Sequence, residues 1–171
     1  MAKGEVVSNK QVIFRDYITG FPKEKDLILS TGTIHLKVPE VSNAVVVKNL
    51  YLSCDPYMRF CMQGEANISD SPSYIPGSVI NWFGVAKVLD FGHPNFKEGD
   101  FIWGKTRWEE YGLITTPETI FKIEHTDVPL SYYTGLLGAT GSHASRKFYP
   151  CGHVVVANDN ATDFFVHMLL E

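Results

Sequence analysis

The chain has few of the residues that build metal sites and disulfide frameworks. Among its 171 residues there are only three cysteines, Cys54, Cys61 and Cys151. An odd number of cysteines at these spacings matches neither a disulfide framework nor a zinc site, so we predict no bound metal and a reducing compartment, the cytoplasm. No general base is placed beside Cys54 by the sequence, and we expect this residue to be a small buried hydrophobe at a strand end.

Long apolar segments and concentrated positive charge are also missing. No apolar run approaches 18 residues, which predicts no membrane span, and residues 1–5 lack the apolar core of a signal peptide. The net charge is −4, and the 15 lysines and arginines are scattered along the chain. Because phosphate binding needs a basic face, we predict no nucleic-acid partner.

Short strands separated by turn residues fill the first two-thirds of the chain. Runs rich in β-branched and aromatic residues alternate with turns such as Gly92-His93-Pro94-Asn95. This rhythm predicts a mainly β fold, a partly closed barrel with a few short helices, and not a doubly wound sheet. The predicted strands are Gln11–Tyr17, Thr33–Val38, Ala44–Leu52, Asn81–Leu89, Phe101–Trp103, Tyr111–Thr115 and Ile120–Ile123.

Two segments interrupt this pattern and two more follow it. The polar segment Gly64–Pro76 predicts a mobile surface loop, and Pro129–Gly138 has apolar spacing suited to a helical turn. Further on, His153–Ala157 predicts one buried strand and Phe164–Leu170 one amphipathic helix. Such a strand and helix are half of a βαβ unit, and the chain offers no second parallel strand for them.

The richest chemistry follows the strand that ends near Leu52. Asp55-Pro56 cannot continue a β-ladder and must turn the chain. Tyr57 and Arg59 come directly after this turn, and a phenol with a guanidinium can orient a polar, partly unsaturated small molecule. We therefore predict that Tyr57 contacts a ligand.

Large aromatic rings are abundant for a domain of this size. Their faces would suit flat conjugated ligands, but such rings also commonly fill a barrel interior, and the sequence leaves both interpretations open for them. Besides Tyr57, these residues are Trp82, Phe83, Trp103, Trp108, Tyr132 and Tyr133.

The segments Asn49–Arg59 (NLYLSCDPYMR) and Leu130–Gly138 (LSYYTGLLG) closely resemble the plant NADPH-dependent alkenal double-bond reductases. These enzymes form part of the zinc-free branch of the medium-chain dehydrogenase/reductases. The resemblance runs almost unbroken from Asn9 to about Gly138. It implies a GroES-like oxidoreductase domain in residues 1–130, and in residues 131–171 a linking helix followed by a truncated, diverged start of a Rossmann cofactor domain.

The resemblance also implies a function and two substrate-binding residues. Family members use NADPH to reduce the double bond of an α,β-unsaturated aldehyde or ketone. Tyr57 matches the tyrosine that faces the substrate, and Phe83 takes the place of a second tyrosine of the cleft. Phe83 keeps the apolar surface but cannot donate a hydrogen bond, which implies a preference for less polar enals. No residue of this chain is assigned a catalytic role.

The segment that matches the cofactor loop of the family departs from it. In that family a glycine-containing loop lets the backbone approach the dinucleotide diphosphate at a helix N-terminus. The matching segment Ala157–Phe164 has no glycine, and it places Asp159 and Asp163 where negative charge repels an anion. The remaining cofactor-domain residues would lie beyond Glu171, so we assign no cofactor-binding residues and expect the isolated chain not to turn over substrate.

Two functions therefore remain open at the level of sequence. One is an NADP-dependent 2-alkenal reductase of which this chain keeps the substrate side. The other is a non-catalytic, truncated remnant that acts at most as a binding module. In either case we expect self-association, for example as a homodimer, through an uncovered apolar patch near Tyr132, Leu136 and Phe164.

Overall fold

The computed structural model describes residues 4–64, 72–135 and 137–138 and the backbone of residues 153–156. β-strands are the main secondary structure, and 3-10 helices cover Glu24–Asp26, Pro117–Thr119 and Leu130–Thr134. The longer elements, in chain order, are β1 (Val6–Phe14), β2 (Leu27–His35), β3 (Val45–Cys54), the helix α1 (Met58–Gln63), β4 (Asn81–Phe91), β5 (Phe101–Arg107), β6 (Tyr111–Ile114), β7 (Ile120–Lys122) and β8 (His153–Val156).

Two antiparallel sheets form the fold. β1 and β2 make a hairpin, and the larger sheet has the order β6-β3-β4-β5-β7, with β8 pairing the end of β3. The predicted mainly β fold with a few short helices is confirmed, and among the described residues neither sheet closes on itself. In the described part of the chain no helix has the length and apolar character needed to cross a membrane.

The strand boundaries differ from the prediction mainly in the first hairpin. β1 and β2 begin several residues earlier than predicted because they pair continuously from Val6 opposite His35 to Phe14 opposite Leu27. This pairing includes polar residues that carry no strand signal in the sequence. The strand predicted at His153–Ala157 is present as β8, and it pairs antiparallel with β3, a partner that the sequence did not indicate.

The predicted helical turn is present in modified form, and of the predicted surface loop only the two ends lie among the described residues. The turn predicted at Pro129–Gly138 is a 3-10 helix over Leu130–Thr134. Of the predicted loop Gly64–Pro76, residues 65–71 lie outside the described residues. Tyr74 near its end is buried, and its hydroxyl donates to the carbonyl oxygen of Asn81 at 2.8 Å. This end of the segment is therefore anchored to the core.

The buried apolar side chains form two clusters, one on each part of the fold. The first packs α1 against β1, β3 and β4, and so holds the turn after β3 in place; it includes Phe14, Leu52, Met58, Cys61, Tyr74, Trp82 and Trp108. The second lies within the larger sheet and under the segment before β5; it consists of Val45, Val47, Ala86, Val88, Phe96, Ile102, Ile114 and Ile120.

The side chain of Asn49 is fully buried in β3 and joins this strand to the turn after β5. Its Nδ2 donates to the carbonyl oxygens of Arg107 (3.0 Å) and Glu109 (2.6 Å). Its Oδ1 accepts a hydrogen bond from Thr106 Oγ1 at 2.8 Å. An amide with this many satisfied bonds is tolerated in the interior, and it fixes one geometry for the turn.

A second buried group, the carboxylate of Glu109, attaches the β1–β2 hairpin to the larger sheet. It accepts hydrogen bonds from Asn9 Nδ2 (3.2 Å) and Gln11 Nε2 (2.7 Å). Asn9 also exchanges two hydrogen bonds of 2.9 Å with the backbone of Tyr111. Burial raises the pKa of Glu109, whereas the Arg107 charge and the two amide donors lower it.

We expect Asn49→Ala to lower the free energy of unfolding by about 2–4 kcal/mol, because it leaves buried donors and acceptors without partners. Urea denaturation followed by circular dichroism measures the change. Asn43→Ala is the control, because Asn43 is exposed and its substitution should cost less than about 0.5 kcal/mol. Equal effects of the two substitutions would contradict the role assigned to Asn49.

Candidate functional site

The turn after β3 is stabilised by short backbone hydrogen bonds. The carbonyl oxygens of Asp55, Pro56 and Tyr57 accept from the N–H groups three residues later, at 3.0, 3.2 and 3.0 Å. Proline has no N–H to lose at this position, and its fixed φ suits the start of a helix. The turn predicted from Asp55-Pro56 therefore leads directly into α1, with Tyr57 at its N-terminal end.

The carboxylate of Asp55 ties this turn to β3 and β4. Asp55 is buried, and its Oδ2 accepts hydrogen bonds from Ser53 Oγ at 2.7 Å and from the indole Nε1 of Trp82. Hydrogen bonds to an ionised acceptor are stronger than those between neutral groups. Asp55 thereby fixes the indole of Trp82 beside the turn.

Trp82 in turn positions Tyr57. The two rings are stacked, with centroids 6.0 Å apart and an interplanar angle of 25°. On its other side Trp82 meets Phe83 edge-on at 5.5 Å, and Phe83 stacks on Trp103 at 5.2 Å and 10°. The structure thus brings the two predicted substrate-binding residues, Tyr57 and Phe83, into one row of rings.

We call this row the aromatic wall; two further rings lie at its ends. Phe60 of α1 contacts Tyr57 at a centroid distance of 5.7 Å, and Phe121 of β7 contacts Trp103 at 6.0 Å. Both end rings are exposed, at 44% and 61%. In order, the wall consists of Phe60, Tyr57, Trp82, Phe83, Trp103 and Phe121.

The burial of the wall residues bears on the choice between core and ligand contact. Trp82 is buried, whereas Tyr57, Phe83 and Trp103 are half-buried, and Tyr57 and Phe83 pack against the core. Trp108, in contrast, is fully buried in the core. Ligand contact by Tyr57 and Phe83 stays a prediction, and their partial exposure is what such contact requires.

Two other residues named from the sequence have local partners. The Arg59 guanidinium lies over the ring of Phe21, 4.3 Å from its centroid, in a cation–π arrangement. Tyr133 donates its hydroxyl to the carbonyl oxygen of His125 at 2.8 Å. Arg59 and Tyr57, which the sequence suggested as a pair, therefore have different ring partners.

The register of the larger sheet adds a residue that the sequence did not single out. Lys105 of β5 lies directly opposite Phe83 of β4, and Trp103 lies opposite Val85. Residues that face each other across an antiparallel pair project from the same side of the sheet. Only the strand pairing reveals this neighbour, because Lys105 is 22 positions from Phe83 in the chain.

Of the two cysteines in the described residues, Cys61 is buried, whereas Cys54, expected to be buried, is half-buried. Burial, followed by the negative charge of Asp55, raises the pKa of Cys54 to about 11, and burial also raises the pKa of Cys61. Because the thiolate is the reactive form, neither residue suits a nucleophilic role. Within residues 4–64, 72–135 and 137–138, no group of three or more His, Cys, Asp or Glu side chains could hold a metal ion.

We expect a single-cysteine variant that keeps Cys54 (Cys61→Ser with Cys151→Ser) to react with iodoacetamide at pH 8 about 100-fold more slowly when native than when unfolded in urea. The raised pKa lowers the thiolate fraction by about this factor. The native rate should rise about tenfold per pH unit until the pH approaches 11. A native rate that levels off near pH 9 would contradict the assignment.

The structure does not describe the segments that the sequence placed at the cofactor side. Ala157–Phe164, the helix Phe164–Leu170 and the residues Leu136 and Phe164 of the predicted apolar patch lie outside the described residues. Among the described elements, no helix follows a glycine-rich loop, the structure that receives a dinucleotide diphosphate in doubly wound folds.

Known proteins match most of the chain. Residues 10–123 match the family described as the N-terminal domain of oxidoreductase. The chain is 58% identical over 145 residues to a 2-alkenal reductase (NADP(+)-dependent) of Nicotiana tabacum, a match that covers 85% of this chain and 42% of the relative. The chain belongs to the medium-chain dehydrogenase/reductases. Its resemblance to alkenal double-bond reductases is confirmed.

Other members of this family show the same partial coverage. The (+)-pulegone reductase of Mentha piperita is 47% identical over 146 residues, which cover 84% of this chain and 42% of the relative. The chain thus spans less than half the length of these curated relatives. The name of the Nicotiana tabacum relative gives NADP as its cofactor.

Solved structures of family members share the fold. CurA from Vibrio vulnificus superposes with a TM-score of 0.67 at 23% identity, covering 80% of this chain and 39% of that chain. The same protein in complex with NADPH gives a TM-score of 0.64 at 22% identity, again over 80% and 39%. These likenesses confirm the predicted GroES-like fold of this family.

Proposed function

We propose that this chain provides the substrate-side surface of an NADPH-dependent 2-alkenal double-bond reductase, acting on small α,β-unsaturated aldehydes and ketones. The observation that carries the proposal is the aromatic wall, in which Tyr57 and Phe83 lie in one row, two contacts apart. The 58% identity to a 2-alkenal reductase supports the substrate class. In this proposal both residues bind substrate.

The roles of Tyr57 and Phe83 follow from their chemistry. The phenol of Tyr57 donates a hydrogen bond to the carbonyl oxygen of the substrate and so orients the conjugated system. Phe83, which lacks a hydroxyl, packs its ring against the hydrocarbon part. Asp55 and Trp82 act as positioning residues, because they hold Tyr57 in place through the hydrogen bond and the stacked rings. A wall with one phenol in place of two should favour the less polar enals.

The hydride donor is proposed to be NADPH, as in the named relatives. When bound, it would deliver a hydride to the β-carbon of the conjugated carbonyl compound, and the α-carbon would take up a proton. The contribution of the present residues is to hold the conjugated plane in one orientation and to keep water from its apolar side. No step is assigned to the dinucleotide through the described residues.

A second candidate, a non-catalytic binding module, is favoured by one feature of the sequence. The segment Ala157–Phe164 has no glycine and carries Asp159 and Asp163, which disfavours a bound diphosphate. This candidate keeps the ligand-binding wall and loses the hydride chemistry. NADPH binding separates the two candidates.

We expect the purified chain to bind trans-2-hexenal reversibly and to report it by quenching of tryptophan fluorescence, since Trp82 and Trp103 belong to the wall. Tyr57→Phe should weaken this binding about five- to tenfold through loss of one hydrogen bond. Tyr17→Phe is the matched control, because Tyr17 is exposed and its ring contacts Phe14 outside the wall.

The same samples separate the candidates when NADPH is added. Saturable NADPH binding with NADPH consumption on adding the enal supports the reductase, whereas enal binding without NADPH binding supports the binding module. If the unsubstituted chain binds no enal, or if Tyr57→Phe binds it equally well, the proposed role of the wall is wrong.

We also propose the finer organisation expected from the family. Residues 1–130 would form the substrate-side domain and residues 131–171 the start of the cofactor-binding part, in a cytoplasmic protein. The match of the family to residues 10–123 supports this division. Self-association would use the apolar surface near Tyr132, which is 43% exposed, and its neighbour Leu137, which is 55% exposed.

We expect the chain to elute in size-exclusion chromatography as a dimer or larger species at micromolar concentration, and Tyr132→Glu to shift it toward the monomer. A charge in an apolar contact opposes association because it must be desolvated. Tyr17→Glu, on another exposed tyrosine, is the control. A clean monomer that is insensitive to salt would contradict self-association.

A further inference from the structure

The aromatic wall has a cation directly beside the position that lacks a hydroxyl. Lys105 of β5 and Phe83 of β4 are paired in register, so their side chains leave the same side of the sheet about 5 Å apart at Cβ. Trp103, whose ring stacks on Phe83, precedes Lys105 by two residues and lies on this side as well. The Lys105 stem therefore starts within the wall.

The charge of Lys105 also reaches the side of the wall that carries Tyr57. Its positive charge lowers the pKa of Cys61, in opposition to the larger effect of burial. Tyr57 stands at the start of α1, and Cys61 follows it by four residues. Residues four apart lie on the same side of a helix. The Lys105 charge is therefore close enough to α1 to act on a side chain of that helix.

The chemistry of this group differs from that of the hydroxyl that Phe83 lacks. An ammonium has three N–H donors and a full charge, so it prefers an anionic oxygen to a neutral carbonyl. Lys105 already has an interaction within the chain, and an ammonium with three N–H donors can serve more than one acceptor. Trp103 Nε1, buried and without a hydrogen-bond partner, adds a further donor group to the same part of the wall.

We infer that Lys105 is a specificity-determining residue that binds a carboxylate of the ligand, so that this chain selects conjugated ketones or aldehydes bearing a carboxylate over neutral ones of equal size. The inference rests on the proposed function, since it assumes that the conjugated carbonyl lies on the wall and bonds to Tyr57. The aromatic rings then contact the conjugated carbons between the two oxygen groups and the alkyl chain beyond them.

The test compares trans-4-oxo-2-octenoate with its methyl ester, which has the same conjugated chain and no charge. Binding to the whole chain is measured by tryptophan fluorescence. We expect the acid to bind about tenfold more tightly than the ester, and this preference to shrink as the ionic strength rises. Lys105→Met should abolish the preference and change the ester affinity by less than about twofold.

Lys87→Met is the matched control. Lys87 lies on the same side of β4, four residues from Phe83 and so about 13 Å away, and it is exposed. The Lys87→Met variant should keep the full preference for the acid. Lys105→Arg retains the positive charge and should keep part of it, which separates loss of the cation from a packing change. The salt dependence measured on the unsubstituted chain needs no variant.

The outcomes distinguish this inference from the function on which it rests. Equal binding of acid and ester by the unsubstituted chain, or an undiminished preference in Lys105→Met, would overturn the inference. The proposed function would stand in that case, provided that ester binding still depends on Tyr57. If neither compound binds to the unsubstituted chain, both the inference and the proposed function are wrong.

Discussion

The carboxylate of Asp55 is the group on which the candidate site depends. It accepts hydrogen bonds from Ser53 at the end of β3 and from the indole of Trp82 on β4. Trp82 is the central ring of the aromatic wall, because Tyr57 stacks on it and Phe83 meets it edge-on. One buried acceptor therefore couples the turn, the neighbouring strand and the two predicted substrate-binding residues, so the orientation of Tyr57 is set by the fold and not by its own flexible side chain.

In the fold as a whole, buried apolar and buried polar groups have different roles. Apolar clusters supply the burial, whereas a few buried amides and carboxylates select one arrangement of the strands. Asn49 and Glu109 do this at the turn after β5, where the hairpin and the larger sheet meet. Such groups contribute little net stability when they are satisfied and cost much when a partner is removed. In this domain these buried polar groups hold the strands that carry the aromatic wall in one register.

Much of this structure could be predicted from the sequence, and the exceptions share a cause. The Asp55-Pro56 turn, the central strands and the position of Tyr57 after the turn follow from local patterns, whereas Phe83 was named through the family resemblance. The starts of β1 and β2 were not predicted, since cross-strand pairing carries both strands through polar residues such as Asn9 and Ser30. The helix α1, with six residues, is too short to show a period. Lys105 became visible only through its register with Phe83, which depends on contacts distant in the chain.

The pairing of β3 affects the tendency of this strand, which leads into the candidate site, to aggregate. β4 occupies one edge of β3, while β6 and then β8 occupy the other, at residues 45–48 and 51–54. An apolar strand with such a run of valines, left open, would be a template for intermolecular cross-β growth. Because β3 is paired along both edges, few of its backbone N–H and C=O groups are free to pair with another chain. This pairing lowers the tendency of its apolar sequence to aggregate.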